Sequence, residues 1–377
     1  RLVQISGIHP ALMQVRLLNF SAGLGSLYEA KGDLAALTRS IDIAEQCFNE
    51  MPDEHPGKST LANNIGLSLQ KRYVATLSKS DIRAALDMHL HSVKLTRAGA
   101  PEEPRNLTNC GMCHVTAHTE FDDRSFLDDG IRFLRNAINL FSQGQSEAGR
   151  LLLHLSKALM TRFKITDAGD DINEAVLLAI RCRDGANAYM GLHREALAQL
   201  ARSLAVRSDS VFAEPNDGTD ATRTFQESMK IFTETFGTGG METAVAWGAW
   251  AWDHERWNEA AEAFLSGLAI HRRLVDRQNS RETREVRIRR IQGLGAMAAS
   301  ALIRCGRLHD AVVALEEGRG ILLAQGLNRQ SQDFNFSEIV TRAGTSPLVY
   351  LENIAGGFAL IVRDSDVQAL DLPMLRE

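Results

Sequence analysis

The chain has 377 residues, a formal charge of −5 and 44% hydrophobic content, which is enough apolar material for a sizeable buried core. The acidic balance argues against a dedicated nucleic-acid binder, and no run approaches the ~18 apolar residues of a membrane span. Five cysteines over this length do not make a disulfide framework; they point to a reducing compartment, the cytoplasm, although a chain opening on Arg1 leaves room for a removed leader.

From Leu17 to Ser208 four positions recur every 45 residues. Leu17, Ala62, Leu107, Leu152 and Leu197 form one register. Ser21, Gly66, Gly111, Ser156 and Ala201 form a second, always small. Leu24, Leu69, His114, Leu159 and Leu204 form a third, and Tyr28, Tyr73, His118, Phe163 and Ser208 a fourth, ring-bearing until its last member. Self-similarity of this kind marks stacked supersecondary units, not one globular core. In the first unit Leu17, Phe20, Leu24 and Tyr28 lie on one face of an α-helix.

A second helix follows in each unit. Leu37, Ile82, Leu127 and Ile172 share one of its slots, and Ile41, Leu86, Ile131 and Val176 another. Small residues recur at Ser40, Ala85, Gly130 and Ala175, and again at Cys47, Ser92, Ala137 and Cys182. Small side chains on both helices let an antiparallel pair approach closely. Loop signals separate the units at Pro52–Lys58, Gly99–Pro104, Gly144–Gly149 and Gly185–Gly191.

Leu24-Gly25-x-x-Tyr28 and Gly130-x-x-x-Leu134-x-x-Ala137 resemble the tetratricopeptide pattern, with a period longer than its usual ~34 residues. Armadillo-like and HEAT-like repeats have similar periods but lack this placement of small residues.

After Ser208 the register breaks, and Val211–Thr222 reads as an inter-repeat loop. Units then resume in tighter form. Trp247-Gly248 opens one, with Ala260-x-x-x-Phe264-x-x-Gly267 as its second helix; Ala299 and Ala311-x-x-x-Leu315-x-x-Gly318 form another. Between them Arg272, Arg273, Arg277, Arg281, Arg284, Arg287, Arg289 and Arg290 interleave with Asp276, Glu282 and Glu285. That pattern reads as a solvated helix face; an acidic partner is the sharper alternative, and the lack of interleaved aromatics disfavours nucleic acid.

Beyond about Asn335 the periodicity switches. Leu348–Glu352, Phe358–Val362 and Val367–Asp371 read as three strands of a meander, separated by Gly356-Gly357 and Asp364-Ser365-Asp366. A lone meander is marginal, so it docks on the last helices or begins a larger sheet.

Leu315-Glu-Glu-Gly-Arg-Gly-Ile-Leu-Leu-Ala-Gln325, a polar connector and then these strands resemble the entry into a CHAT domain, a caspase-like module that follows tetratricopeptide arrays. The arrays of that family are also similar to the 45-residue units, through Asn63-Asn64-Ile65-Gly66 and Gly32-Asp33-Leu34. The resemblance implies a cysteine protease using a His-Gly and a Cys downstream of the first strands. After Tyr350 the sequence has neither histidine nor cysteine, so no nucleophile or base is carried over. If complete, this chain does not perform that chemistry; if a fragment, it is the helical region and the first hairpin.

Cys110-Gly111-Met112-Cys113-His114 has the c-type haem spacing. The registers argue for packing instead. Cys110 shares the slot of Phe20, Ile65, Leu155 and Leu200, His114 that of Leu24, Leu69 and Leu159, and Cys113 that of Gly23, Ser68, Ala158 and Ser203. A zinc site from Cys110, Cys113, His114 and His118 would span ~12 Å of helix, whereas zinc needs its ligands at ~2.0–2.3 Å. His89, in the slot of Ala44, Leu134 and Ala179, is a partly buried irregularity, and His91 is a helix residue. Gly237-Thr-Gly-Gly240 lacks the Lys-Ser or Lys-Thr of a phosphate loop and reads as a turn. Trp247, Trp250, Trp252 and Trp257 pack the later helices or anchor a bound peptide.

The expectation is an all-α solenoid of about seven tetratricopeptide-like helical hairpins with a small C-terminal antiparallel β element. Its divisions are 1–210, 211–330 and 331–377. The expected partner is a protein or peptide in a concave groove lined by the first helices, with an attached or associated caspase-like protease domain and no membrane. No catalytic, metal or cofactor residue is assigned. A free-standing adaptor without enzymatic activity is the alternative.

Overall fold

The computed structural model describes residues 10–140, 146–186, 190–235, 239–275, 293–326, 335–353 and 357–373. Fourteen helices among them pair as hairpins, each with a first and a second helix. The pairs are α1 (Pro10–Lys31) with α2 (Leu34–Glu50), α3 (Lys58–Thr76) with α4 (Lys79–Leu95), α5 (Glu103–Phe121) with α6 (Arg124–Leu140), and α7 (Ser146–Thr166) with α8 (Gly169–Gly185). Then come α9 (Met190–Ser208) with α10 (Asp217–Thr235), α11 (Gly240–Asp253) with α12 (Trp257–Val275), and α13 (Leu294–Arg304) with α14 (Leu308–Gly326). Helix α15 (Phe336–Ala343) precedes strands β1 (Leu348–Glu352), β2 (Phe358–Arg363) and β3 (Asp366–Asp371). The described residues fall into two compact units that meet in sequence at Leu192 and His193. No described helix is long and apolar enough to cross a membrane.

In the first unit every second-helix register is buried, and so are all described members of the small first-helix register. The two helices touch where the small registers meet. A Cβ on Gly111 would stand 2.9 Å from the Gly130 carbonyl oxygen, and one on Gly130 2.9 Å from that of Gly111. At the same place in the first hairpin Ser21 Oγ donates to Ser40 O at 2.9 Å and Ser40 Oγ to Ser21 O at 2.7 Å. In the fourth, Ser156 Oγ donates to Ala175 O at 2.8 Å. Small side chains thus set the crossing, and hydroxyls there satisfy themselves on the facing backbone.

The turn between the helices repeats as well. Gly32, Leu77, Asp122 and Asp167 all adopt φ between 52° and 72°. Each donates its N–H to the carbonyl of the ring register, Tyr28, Tyr73, His118 or Phe163, at 2.7–2.8 Å. This is the left-handed C-terminal cap, and only the first copy fills it with glycine. Successive hairpins then pack in order, α2 on α3, α4 on α5 and α6 on α7, and the first helices α3, α5 and α7 touch one another. Phe20 departs from its register: it is 44% exposed, while Ile65, Cys110 and Leu155 are buried. Its slot is covered by the preceding hairpin in later copies, and no described element precedes α1.

One recurring feature breaks the hydrophobic register. Arg72 is bidentate to Asp81 (2.7 and 2.9 Å) and Arg162 to Asp171 (both 2.7 Å), joining each first helix to the start of its second. The same seats hold Leu27 and Ala36 in the first hairpin and Ala117 and Phe126 in the third. Both partners change together, because either charge alone would be stranded in a largely buried place.

In the second unit Arg207 is bidentate to Asp217 (2.7 and 2.9 Å), with both side chains buried. That pair starts α10 at Asp217, so the loop expected over Val211–Thr222 covers only residues 209–216, and Gly218–Thr222 are helical. The tighter units pack as their small residues indicate: the Phe264 ring occupies the space a Cβ on Gly248 would take, and Gly295 meets the Gly318 backbone. Helix α11 opens at Gly240, seven residues ahead of Trp247. Gly239 and Gly240 form its start, while Gly237 and Thr238 lie outside the described residues. So do Arg277 to Arg290; Arg272 pairs with Glu317 at 3.0 Å.

After Asn335 the structure adds a helix where strands alone are expected. The Asn335 side chain accepts from Glu338 N at 2.9 Å, an N-cap that starts α15. The meander is antiparallel in the order β1-β2-β3, with Tyr350 opposite Leu360 and Leu360 opposite Ala369. Its inner face, Tyr350, Phe358, Leu360, Val362 and Val367, joins one core with Leu294, Leu302, Leu315 and Ile339. The strands dock on the last helices.

Candidate functional site

The residues with the most reactive chemistry lie in packing seats. Cys110 and Cys113 are fully buried and His114 is 4% exposed. His114 Nδ1 donates to Cys110 O at 2.8 Å, and its ring lies against Phe126 and Phe133. Burial drives the Cys110 thiol upward, with Cys113 adding to it, and raises Cys113 to about 12. A reactive cysteine needs the opposite shift. His118 Nδ1 donates to Asp123 O at 3.1 Å, closing the turn. Cys110, His114 and His118 therefore serve the fold, and no group of three His, Cys, Asp or Glu able to hold a metal occurs among the described residues.

His89 is more deeply placed than its register suggests, at 0% exposure. Its ring fills the space that a Cβ on Gly66 would take, at 2.7 Å, and its Nε2–H donates to Gln70 Oε1 at 3.1 Å. Burial lowers its pKa to about 4, helped by neighbouring His114, so the ring is neutral at pH 7. In the next hairpin Leu134 takes the same place over Gly111. His91 is exposed, bonded to Asp87 O at 2.8 Å, with its ring on Phe48.

The tryptophans divide. Trp247 is fully buried, stacked on Phe225, and donates to Glu259 Oε1 at 2.6 Å. Trp250 is nearly buried, with the Arg256 guanidinium 3.8 Å from its ring centroid. The Trp250 and Arg256 pair lines an open cleft of about 690 Å³ with Glu214 and His254. Trp252 and Trp257 meet edge-on at 4.8 Å and stay partly exposed.

A surface not indicated by the hydrophobic registers emerges on the first helices of the first unit. Asn64 on α3, Asn109 on α5 and His154 on α7 share one seat, 45 residues apart, and are exposed or half-buried. Asn109 Nδ2 donates to the buried Asn63 Oδ1 at 2.9 Å, tying α5 to α3. His154 Nδ1 is buried without a partner, and burial, then Lys157 and Arg150, lowers its pKa to about 4. The same helix face carries Lys71, which pairs with Glu29, together with Arg105, Arg150 and Lys157. A row of amide and neutral imidazole groups supplies both donors and acceptors, which suits an extended peptide backbone, and the flanking cations add positive charge. The signal is present in the sequence, since Asn19, Asn64, Asn109, His154 and Gln199 are all polar at the same period. A search for apolar periodicity passes over it.

No protein-family model matches the chain, and no curated protein matches it. Among solved structures, one of a Rap protein complexed with competence and sporulation factor matches at 12% identity and a TM-score of 0.42, covering 85% of this chain and 100% of that one. A structure described as a DHF58 filament matches at 14% identity and a TM-score of 0.11, covering 84% and 98%. Likenesses at this level assign neither ligand nor function to the chain.

Proposed function

We propose that the chain is a protein-interaction module whose first helices present a polar, basic surface to a peptide or protein segment. One observation carries this reading: Asn64, Asn109 and His154 occupy equivalent seats on three adjacent first helices, and hairpin packing leaves all three reachable. Repeats place a side chain in register at fixed spacing, so a segment lying across them meets the same chemistry at each step. Arg105, Arg150 and Lys157 favour an acidic segment. The test is partner capture with the full chain, the Asn64→Ala/Asn109→Ala/His154→Ala variant and a Leu177→Ser control at an exposed second-helix position. The triple variant is expected to retain at least tenfold less partner with unchanged helical content, and the control to retain it fully. Equal retention by the triple variant would remove the reading.

The finer proposal couples this module to a caspase-like protease. It is supported by the resemblance of Leu315–Gln325 and the following strands to the entry of a CHAT domain, and by the single core that joins those strands to α13 and α14. A segment bound to the helices would then bias the orientation of the sheet. The reading frame beyond Glu377 tests it: a His-Gly at a strand end and a later Cys support the protease, and their absence favours a free-standing adaptor.

A further inference from the structure

A cation taken out of water needs a counter-charge. The chain obeys this rule at Arg72, Arg162 and Arg207, each bidentate to an aspartate. Arg202, on the same helix as Arg207, does not. Its Nη2 donates to Thr243 Oγ1 on α11 at 2.8 Å, while its Nε is buried without a partner. No carboxylate among the described residues forms an ion pair with it; Glu242, beside Thr243, acts on it through charge alone. Burial pulls the Arg202 pKa down, and Glu242 offsets only part of that.

The guanidinium is held in one place. Thr243 is fully buried, and its hydroxyl donates to Gly239 O at 2.9 Å, which turns a lone pair of Oγ1 towards Arg202. Two first helices of the second unit, α9 and α11, thus fix the fork between them. Arg202 as a whole is half-buried, so with Nε sealed it is the Nη1 end that meets a guest. Nη1 and the second N–H of Nη2 form a planar two-donor fork that matches the two oxygens of one carboxylate. Arg194, about two turns earlier on α9, is fixed in the same manner by Thr235 at 2.7 Å and lies over the Phe232 ring, which adds positive charge nearby. The charge of Glu242 weighs against a dianion such as phosphate and favours a group carrying a single charge.

We infer that Arg202 and Thr243 form the seat for one carboxylate of a bound ligand, which supplies the counter-charge that the chain itself does not provide. The carboxylate belongs to an acidic side chain of a partner segment or to a free dicarboxylic acid; the chemistry at the fork is the same. A bound carboxylate relieves an under-compensated cation, and so does removal of the cation. The second consequence separates a binding seat from a structural arginine, whose loss destabilises. The inference does not rest on the row of Asn64, Asn109 and His154, which lies on other helices.

Titration calorimetry on the full chain tests this with two probes, succinate and an end-blocked peptide of alternating serine and glutamate. The same peptide with glutamine for glutamate, and inorganic phosphate, are the controls. At least one acidic probe is expected to bind saturably: succinate alone identifies a small acid, the peptide alone a segment, and both together the shared chemistry. Arg202→Met should weaken that binding at least about tenfold while melting at or above the wild-type temperature. Thr243→Val, which frees the guanidinium but keeps its charge, should weaken it several-fold with unchanged helical content. The Asn64→Ala/Asn109→Ala/His154→Ala variant should bind succinate as the wild type does, which separates failure of the seat from failure of the row. Binding of neither acidic probe, equal binding by Arg202→Met, or phosphate binding more tightly than both probes would overturn the inference. An Arg202→Met protein that melts clearly below the wild type would also overturn it, marking Arg202 as structural.

Discussion

The first hairpin of the chain and the α11–α12 hairpin close by different means. In the first, the helices cross on paired small residues, Ser21 with Ser40, and the same seats return as Gly111 with Gly130 and Ser156 with Ala175. In α11–α12 a glycine receives a large neighbour instead: Phe264 fills the space over Gly248, and Trp247 stacks on Phe225 beside it, while the following hairpin returns to a small pair, Gly295 with Gly318. A contact made by small residues constrains both helices at every copy and enforces a strict period. A contact made by one aromatic is used once, and the period relaxes around it. Within the first unit the comparison sharpens further, because hairpins two and three share a backbone plan but fill three seats differently: charged or neutral, His89 or Leu134, Leu77 or Asp122.

The largest effect should come from the charged seat. Asp81→Ala leaves Arg72 largely buried without its partner and should cost about 3 kcal/mol. Arg72→Ala combined with Asp81→Phe copies the third hairpin and should cost less than about 1 kcal/mol, because neither charge is then stranded. A double-mutant cycle by urea unfolding measures the difference, and equal losses in the single and double variants would refute a pair that changes together.

Next is His89. Its folded pKa of about 4 lies below its ordinary 6.5, so the unfolded chain binds the proton first. Stability is full above pH 6.5, falls as the pH drops towards 4, and levels off below that; the loss is about 3 kcal/mol from this group. His89→Leu places in the second hairpin what the third already has, and should flatten that part of the pH profile while keeping neutral-pH stability within about 1.5 kcal/mol. An unchanged acid slope would mean that other groups set it.

Gly111→Ala should destabilise by about 2 kcal/mol, since its Cβ meets the Gly130 carbonyl at 2.9 Å and Leu134 Cγ at 2.8 Å. Gly23→Ala, with nothing within 4 Å, serves as the control on the same type of helix and should gain about 0.5–1 kcal/mol rather than lose any. The last change is also expected to stabilise. Leu77 holds φ 57° and is 60% exposed, so Leu77→Gly should raise stability by about 0.5–1 kcal/mol, seen as a higher urea midpoint.

Much of the fold is legible in the sequence because its rule is simple. Seats such as Ile82, Ala85 and Leu86 repeat, and repeated apolar or small residues can only be shared packing. The strands were equally readable, since Phe358–Arg363 is too apolar and too short for anything but a buried strand. The buried Arg–Asp pairs were not, because they appear in some copies and vanish in others, and a register search treats them as noise. Helix α15 escaped because its signal is one cap, Asn335, ahead of a single amphipathic stretch of eight residues. The surface of Asn64, Asn109 and His154 escaped for a related reason: each residue is ordinary by itself, and only the geometry of adjacent first helices makes them a row. The depth of His89 could be read only from Gly66, whose missing side chain gives the ring its place.

The central claim is that thiols and imidazoles in the shared seats are packing groups. Native thiol labelling followed by mass spectrometry tests it most directly. Cys305, partly buried and with its thiol pKa raised by burial, should still react without unfolding, while Cys110 and Cys113 should react only at the rate at which their hairpin unfolds, accelerating with urea. Rapid labelling of Cys110 or Cys113 in the folded protein, at the rate of a free thiol, would contradict it.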